Sequence, residues 1–239
     1  MDIAEAFRFS PVLREMMETG LTIGADGSTI QVLGGSTPNN LVVLRSLHMR
    51  TGAAATLEIG LAYGASALVF AETHHDLGHE PAGQHVAIDP FQNEHLMGAG
   101  LFAAERAGMR SYLTHREGFS DTELPALVAQ GARFGIIYID GSHLFEDVFL
   151  DAHYCAQLLE IGGVMLFDDS TDQHVVKVLR FLRSNMAGTL EPFDLSPYRA
   201  DRGSSLKYRV GKALGRTQLT AFRKIADGRR PWDSKLAAF

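Results

Sequence analysis

From residue 56 onward, short apolar runs alternate with longer amphipathic ones. Runs of strand character lie at 56–59, 86–88, 111–114, 136–140 and 164–168, each four or so residues deep in branched and aliphatic side chains. Between them lie helix-length stretches at 66–75, 94–107, 121–130, 144–159 and 175–186. In the fourth of these, Val148, Ala152, Cys155, Leu158 and Leu159 fall on one face at helical spacing. Gly162 and Gly163 are read as ending that helix and launching the next strand. Two later runs, 190–195 and 205–210, flank Ser-Pro and Arg-Gly turns and read as an antiparallel pair closing the sheet. Strand–helix alternation at this spacing predicts an α/β fold: a mostly parallel sheet with helices on both faces.

The first 50 residues stand outside that rhythm. Helices are expected at 9–19 and 40–50, the second introduced by Pro38, with glycine-rich loops between them at 24–28 and 34–38. Such a segment either covers the ligand end of the sheet as a lid or packs across its edge. Three parts follow: a lid segment at 1–50, a catalytic domain at 51–211 and a basic tail at 212–239, read as a solvated end or a docking arm for a second copy in a homodimer.

Composition narrows the class. A chain of 239 residues, 46% hydrophobic and 21% charged, is long enough for one large core. Its net charge of −6 and the absence of a basic stripe beside aromatics argue against nucleic acid. The single cysteine, Cys155, cannot pair within the chain, which points to a reducing compartment. Nothing resembles a signal peptide or a membrane span, so the cytoplasm is the expected location.

The chemistry gathers at strand ends. The stretch Thr56-Leu-Glu-Ile-Gly60 runs into Gly64 and Ser66, a strand, a tight glycine turn and a helix start, where a ligand can lie against bare backbone. Later strands end in Asp89, in Asp140 and in Asp168-Asp169. A parallel sheet binds its ligands at the carboxyl ends of its strands. A dinucleotide turn would set its first two glycines one residue apart, whereas here Ala62 stands between Gly60 and Gly64. Asp140 and Asp168 fall on strands expected to be neighbours, and carboxylates so placed repel unless a cation joins them. A hard divalent ion such as Mg²⁺ suits an all-oxygen set and keeps positions open for substrate. Helix capping by Asp89, Ser120 and Asp169 is the competing reading of those residues.

Taken together, Glu58-Ile-Gly60-x3-Gly64-x-Ser66, Asp89, Tyr138-Ile-Asp140-Gly-Ser-His143 and Asp168-Asp169 resemble the class I S-adenosylmethionine-dependent methyltransferases. More narrowly, they are similar to metal-dependent O-methyltransferases of the macrocin and catechol type, over roughly residues 40–210. The resemblance implies a Rossmann-like fold with a seven-stranded sheet. It places the methionine end of the cofactor at Gly60, Gly64 and Ser66, oriented by Glu58. Asp89 would receive the ribose hydroxyls, Ser120 would line the adenine, and Asp140 would touch the cofactor as well as the metal. Asp140, Asp168 and Asp169 would hold Mg²⁺, and His143 would act as the base, since imidazoles titrate close to neutral pH. The implied acceptor is a hydroxyl of a small molecule such as a sugar or catechol. Two alternatives remain: a metal-independent or N-directed methyltransferase, and an accessory protein that binds the cofactor without turnover. His74, His75 and His79 read as a surface helix end, His153 as structural, and His174 as able to reach either substrate or Asp172.

Overall fold

The computed structural model describes residues 10–201, 203–228 and 230–239. Phe9, where the first helix was expected to begin, lies outside them, as do Arg202 and Arg229. Helix α1 (Pro11–Thr19) opens on Ser10, whose hydroxyl accepts from Leu13 N at 3.1 Å. A hairpin, β1 (Leu21–Ile23) and β2 (Thr29–Gln31), leads to α2 (Pro38–Thr51), capped by Thr37. The alternating part then runs β3 (Thr56–Ile59), α3 (Ala65–Asp76), β4 (His85–Ile88), α4 (Ala99–Arg106), β5 (Leu113–Arg116) and α5 (Ser120–Ala129). It continues with β6 (Phe134–Ile139), α6 (Phe145–Leu158), β7 (Leu159–Phe167), α7 (Gln173–Asn185), β8 (Leu190–Phe193), α8 (Leu206–Ala213) and β9 (Thr220–Lys224).

The main sheet has seven strands in the order β5-β4-β3-β6-β7-β9-β8. Its first five strands are parallel, and β9 joins β7 and β8 antiparallel. This is the Rossmann-like architecture expected from the sequence, with the reversal of strand order beside β3 that creates a ligand crevice. Among the described residues no helix is long and apolar enough to cross a membrane.

Several elements differ from the sequence reading: the β1–β2 hairpin flanks a stretch read only as a loop, and β5 starts two residues late because Arg110–Tyr112 forms a 3-10 turn. The antiparallel partner of β8 is β9 at Thr220–Lys224, not 205–210, which opens helix α8 instead. The final strand thus lies past Gly211, inside the segment read as a tail, and Lys224 is 4% exposed with Nζ on Leu159 O at 2.7 Å. Strand β7 begins at Leu159, ahead of Gly162 and Gly163. Its pairing jumps from Phe134↔Leu159 to Ile136↔Val164, so those glycines sit in a bulge within the strand. Residues 94–98 precede α4 as turns, because Gly98 in the left-handed region starts the helix later.

Each face of the sheet carries its own core. Leu41, Leu44, Leu68 and Phe70 from α2 and α3 pack on one side, and Val148, Cys155, Val178 and Leu182 from α6 and α7 on the other. The first core also holds a polar chain that includes His74, which the sequence reading put at a surface helix end. His74 is fully buried, its Nε2 2.9 Å from Thr56 Oγ1 and its Nδ1 2.8 Å from His79 Nδ1. Thr56 in turn meets His85 Nδ1 at 2.9 Å, and His48 stands edge-on to His74 with ring centroids 4.4 Å apart. Burial, more than the neighbouring histidines, pulls His74 down to about 2 and His48 to about 4. Both stay neutral when folded and gain protons near pH 6.5 when unfolded, so their contribution is complete above pH 6.5 and is lost as pH falls. For His48 alone the loss by pH 4 is about 3 kcal/mol. Urea unfolding at stepped pH is expected to show this fall, shallower in His48→Gln; an unchanged slope in that variant would disprove the assignment.

Candidate active site

The glycine turn follows β3. Gly60 has φ +93, and a Cβ there would stand 2.3 Å from Asp140 O and 3.1 Å from Gly141 Cα. The close approach that requires glycine is therefore to the end of β6 itself. Gly64, φ +85, faces Gly100 of α4 in the same way, at 2.8 Å from its carbonyl oxygen. Ala62 between them is also left-handed, φ 44, a strained setting of the kind found at ligand turns. Ser66 sits in the first turn of α3, 5% exposed.

Asp89 is 4% exposed and holds this turn in place. Its Oδ2 accepts from Leu61 N and Ala62 N at 3.0 and 2.8 Å, and its Oδ1 from Phe91 N at 2.7 Å. The carboxylate expected to meet a ribose is here committed to three backbone amides. Glu58 does not face the turn: strand alternation turns it into the α2–α3 core, fully buried, with Oε1 3.3 Å from His85 Nε2.

The acids at the ends of β6 and β7 do converge. One ligand atom each from Asp140, His143 and Asp169 lies within 4.8 Å of the others. Asp169 adopts a left-handed backbone, φ 45, which aspartate tolerates better than most residues, and its Oδ2 lies 2.9 Å from His143 Nε2. Asp168 is drawn back from the cluster. Both its oxygens accept from Asn40 Nδ2, at 2.9 and 3.0 Å, Tyr138 Oη donates to it, and Asp169 N donates to Oδ1 at 2.8 Å. Asp140 Oδ2 accepts from Ser36 Oγ at 3.0 Å and lies 3.0 Å from Tyr138 Oη.

Charge is crowded here. Burial, then repulsion by Asp168, pushes the Asp140 carboxyl well above the usual carboxylate range. Burial raises Asp168 too, against the hydrogen bonds it accepts, and burial with both carboxylates raises the Tyr138 phenol well above its usual value. A divalent cation would relieve that strain, and the oxygen-rich donor set with one imidazole fits one.

Ser36, Asn40, Tyr138 and Gln218 were not singled out from the sequence as site residues. Gln218 Nε2 donates to Asp169 from the loop before β9, and Ser36 and Asn40 come from the segment read as a lid. That segment does reach the ligand end of the sheet. Polar side chains in loops carry no periodic signal; only the glycine-rich run around Ser36 hinted at their use. His174 Nδ1 accepts from Phe145 N at 3.2 Å, bracing the start of α6.

Ser120 opens α5 and faces Asp151, a carboxyl 1% exposed on α6. Burial raises Asp151 to about 7, with Ser120 opposing and Asp147 and Asp121 adding to the shift. Folded protein then keeps a proton that unfolded chain releases near pH 4, so stability falls between pH 4 and 7, by up to about 4 kcal/mol. Asp151→Asn is expected to melt higher than wild type at pH 8 and equally at pH 4; identical melting differences at both values would refute this.

Residues 57–170 match the family model Methyltransf_24, a methyltransferase domain. The fold is shared with the O-methyltransferase TomG of Streptomyces achromogenes, involved in tomaymycin synthesis and solved with S-adenosylmethionine. That match has 17% identity over 92% of this chain and 89% of that one, TM-score 0.60. It is shared as well with an O-methyltransferase from Bacillus cereus bound to S-adenosylhomocysteine, at 16% identity, 90% of both chains and TM-score 0.61. The S-adenosylhomocysteine-bound methyltransferase PaMTH1 of Podospora anserina aligns over 93% of both chains at 17% identity, TM-score 0.62. No functionally curated protein matches the sequence. Residues 57–170 thus match a methyltransferase domain, on a fold shared with these three structures.

Proposed function

We propose that the enzyme methylates a hydroxyl of a small molecule with the help of a divalent ion, Mg²⁺ in the first instance, held by Asp140 and Asp169. The observation that carries this reading is the cluster of Asp140, His143 and Asp169 within 4.8 Å at the ends of β6 and β7, next to the glycine turn. The similar O-methyltransferases TomG and that of Bacillus cereus support the choice of oxygen as the acceptor atom. A bound Mg²⁺ would orient an acceptor oxygen and lower the pKa of its hydroxyl.

The remaining work belongs to the chain. Gly60 and Gly64 let the turn close against the end of β6 and against α4, Asp89 fixes its shape, and the methionine end of the cofactor lies along that turn beside Ser66. Phe119, 60% exposed beside Ser120 and edge-on to Phe91 at 5.8 Å, offers an apolar surface for the adenine. With Nε2–H donated to Asp169, His143 carries its lone pair on Nδ1, and that atom takes the proton of the acceptor. Asn40 and Tyr138 keep Asp168 in reserve behind the pair.

A second reading makes His143 a metal ligand, favoured by its place in the same cluster. His143→Gln separates the two: loss of turnover of about 10²-fold or more with Mg²⁺ affinity kept marks a base, and loss of Mg²⁺ affinity marks a ligand. Calorimetric titration with S-adenosylmethionine and S-adenosylhomocysteine, with Mg²⁺ and then with EDTA, tests the proposal as a whole. Micromolar binding of both, followed by chelator-sensitive methyl transfer, is expected. Transfer at full rate in EDTA would overturn the metal, and no binding of either would overturn the cofactor assignment.

A further inference from the structure

A cavity of about 290 Å³ opens beside the acids, between the start of α2, helix α8 and the loop before β9. Asn40 and Gln218 form its inner wall, and their amides are the groups bonded to Asp168 and Asp169. Val43 and Leu195 line its side. Lys207 and Arg216 line it too, both exposed, and neither has a salt bridge or side-chain hydrogen bond among the described residues. Arg199, also at the wall, is already neutralised by Asp201 at 3.0 Å and stacked 3.8 Å over Tyr208. Residues 199–216 hold six cations, Arg199, Arg202, Lys207, Arg209, Lys212 and Arg216, against one acid, Asp201, in a chain of net charge −6.

We infer that this cavity is the acceptor subsite and that the acceptor carries an acidic group, carboxylate or phosphate, which Lys207 and Arg216 bind. The inference rests on the methyltransferase reading above. Its logic is one of polarity. The Asn40 and Gln218 amides on its wall lead directly to Asp168 and Asp169, while two unpaired cations, Lys207 and Arg216, line the cavity itself, so an acidic hydroxy compound has one favourable orientation. Its hydroxyl meets Asp140, Asp169 and His143, while its anionic group lies against Lys207 and Arg216. The reverse orientation puts like charges together. A volume near the lower end of the usual range for ligand pockets suits a compound of about one ring. The guanidinium of Arg216 can grip a carboxylate or phosphate through two parallel N–H bonds, which a neutral acceptor cannot match.

The test uses the full chain saturated with S-adenosylhomocysteine and Mg²⁺, with two matched pairs of probes: 3,4-dihydroxybenzoate against catechol, and glucose 6-phosphate against glucose. Calorimetry is expected to show at least one acidic probe binding about tenfold tighter than its neutral partner, the size of one good charge-assisted contact. Which pair shows it distinguishes carboxylate from phosphate. In K207Q/R216Q the preference is expected to vanish while S-adenosylhomocysteine affinity and melting temperature hold. Cofactor binding with no preference for either acidic probe, including no binding of any probe, overturns the inference. So does a preference that survives the double substitution. Failure to bind S-adenosylhomocysteine would instead bring down the methyltransferase reading, and this one with it.

Discussion

Asp140→Asn is expected to reduce methyl transfer by about 10³-fold while leaving S-adenosylhomocysteine affinity within a few fold. The substitution keeps shape and hydrogen-bonding reach, so Ser36 and the Tyr138 hydroxyl still have a partner at that position. What it removes is the charge that the proposed ion needs. The same change is expected to raise the melting temperature of the metal-free protein. Asp140 is held among Asp168, Asp169 and a buried phenol, and its carboxyl is displaced upward chiefly by burial and by Asp168. Removing one of several crowded charges relieves repulsion that only a cation otherwise offsets. A variant that turned over at the wild-type rate would refute the role of Asp140. A variant that lost activity together with stability would point to a purely structural role. Only the combination of lost rate and gained metal-free stability fits a ligand, and melting curves with and without EDTA beside a labelled-methyl assay would read both.

Much of this arrangement was legible in the sequence because it obeys short periods. Strands that end in an acid announce both the element and the edge of the sheet where ligands bind, and Asp140, His143 and Asp169 do meet there. The glycine spacing Gly60-x3-Gly64 pointed to the turn, although the structure shows that Gly60 answers first to the Asp140 carbonyl. Residues brought in from afar were not legible. Ser36 reaches Asp140 across 104 positions, Asn40 reaches Asp168 across 128, and Gln218 reaches Asp169 across 49. None lies in a pattern that local propensity can register. The last strand was missed for a related reason. Residues 206–210, Leu-Lys-Tyr-Arg-Val, alternate apolar and basic as a strand would, yet form α8, while Thr-Ala-Phe-Arg-Lys at β9 looked like part of a solvated basic run. Tertiary pairing with β7 and β8 decides between two weak local preferences. Glu58 stands beside the turn in sequence, while the pleat of β3 sends its side chain into the core next to His85.

Gly60→Ala is the second change with a large expected effect, and it tests whether the turn and the acids form one mechanical unit. A methyl group at this position would begin 2.3 Å from Asp140 O, on a backbone with φ +93 that alanine adopts poorly. The left-handed strain and the overlap together are expected to cost about 3 kcal/mol, a fall of roughly 10 °C in melting temperature. The overlap can be relieved only by moving backbone, because the opposing atoms belong to the peptide between Asp140 and Gly141. Asp140 N is also tied to Ile59 O at 3.0 Å, so the β3 and β6 ends must shift together. A displacement of about 1 Å in the group that positions substrate lowers turnover by about 10²-fold. Gly78→Ala supplies the comparison. It too is left-handed, φ +73, but a Cβ there meets nothing within 4 Å. It is expected to lose about 1 kcal/mol of stability and no methyl-transfer rate at a temperature where both variants are folded. If Gly60→Ala retains the wild-type rate despite its lower melting point, the turn merely supports the sheet. If it loses rate beyond what unfolding explains, the glycine serves to set Asp140 against the bound cofactor, and the turn and the acid are one device.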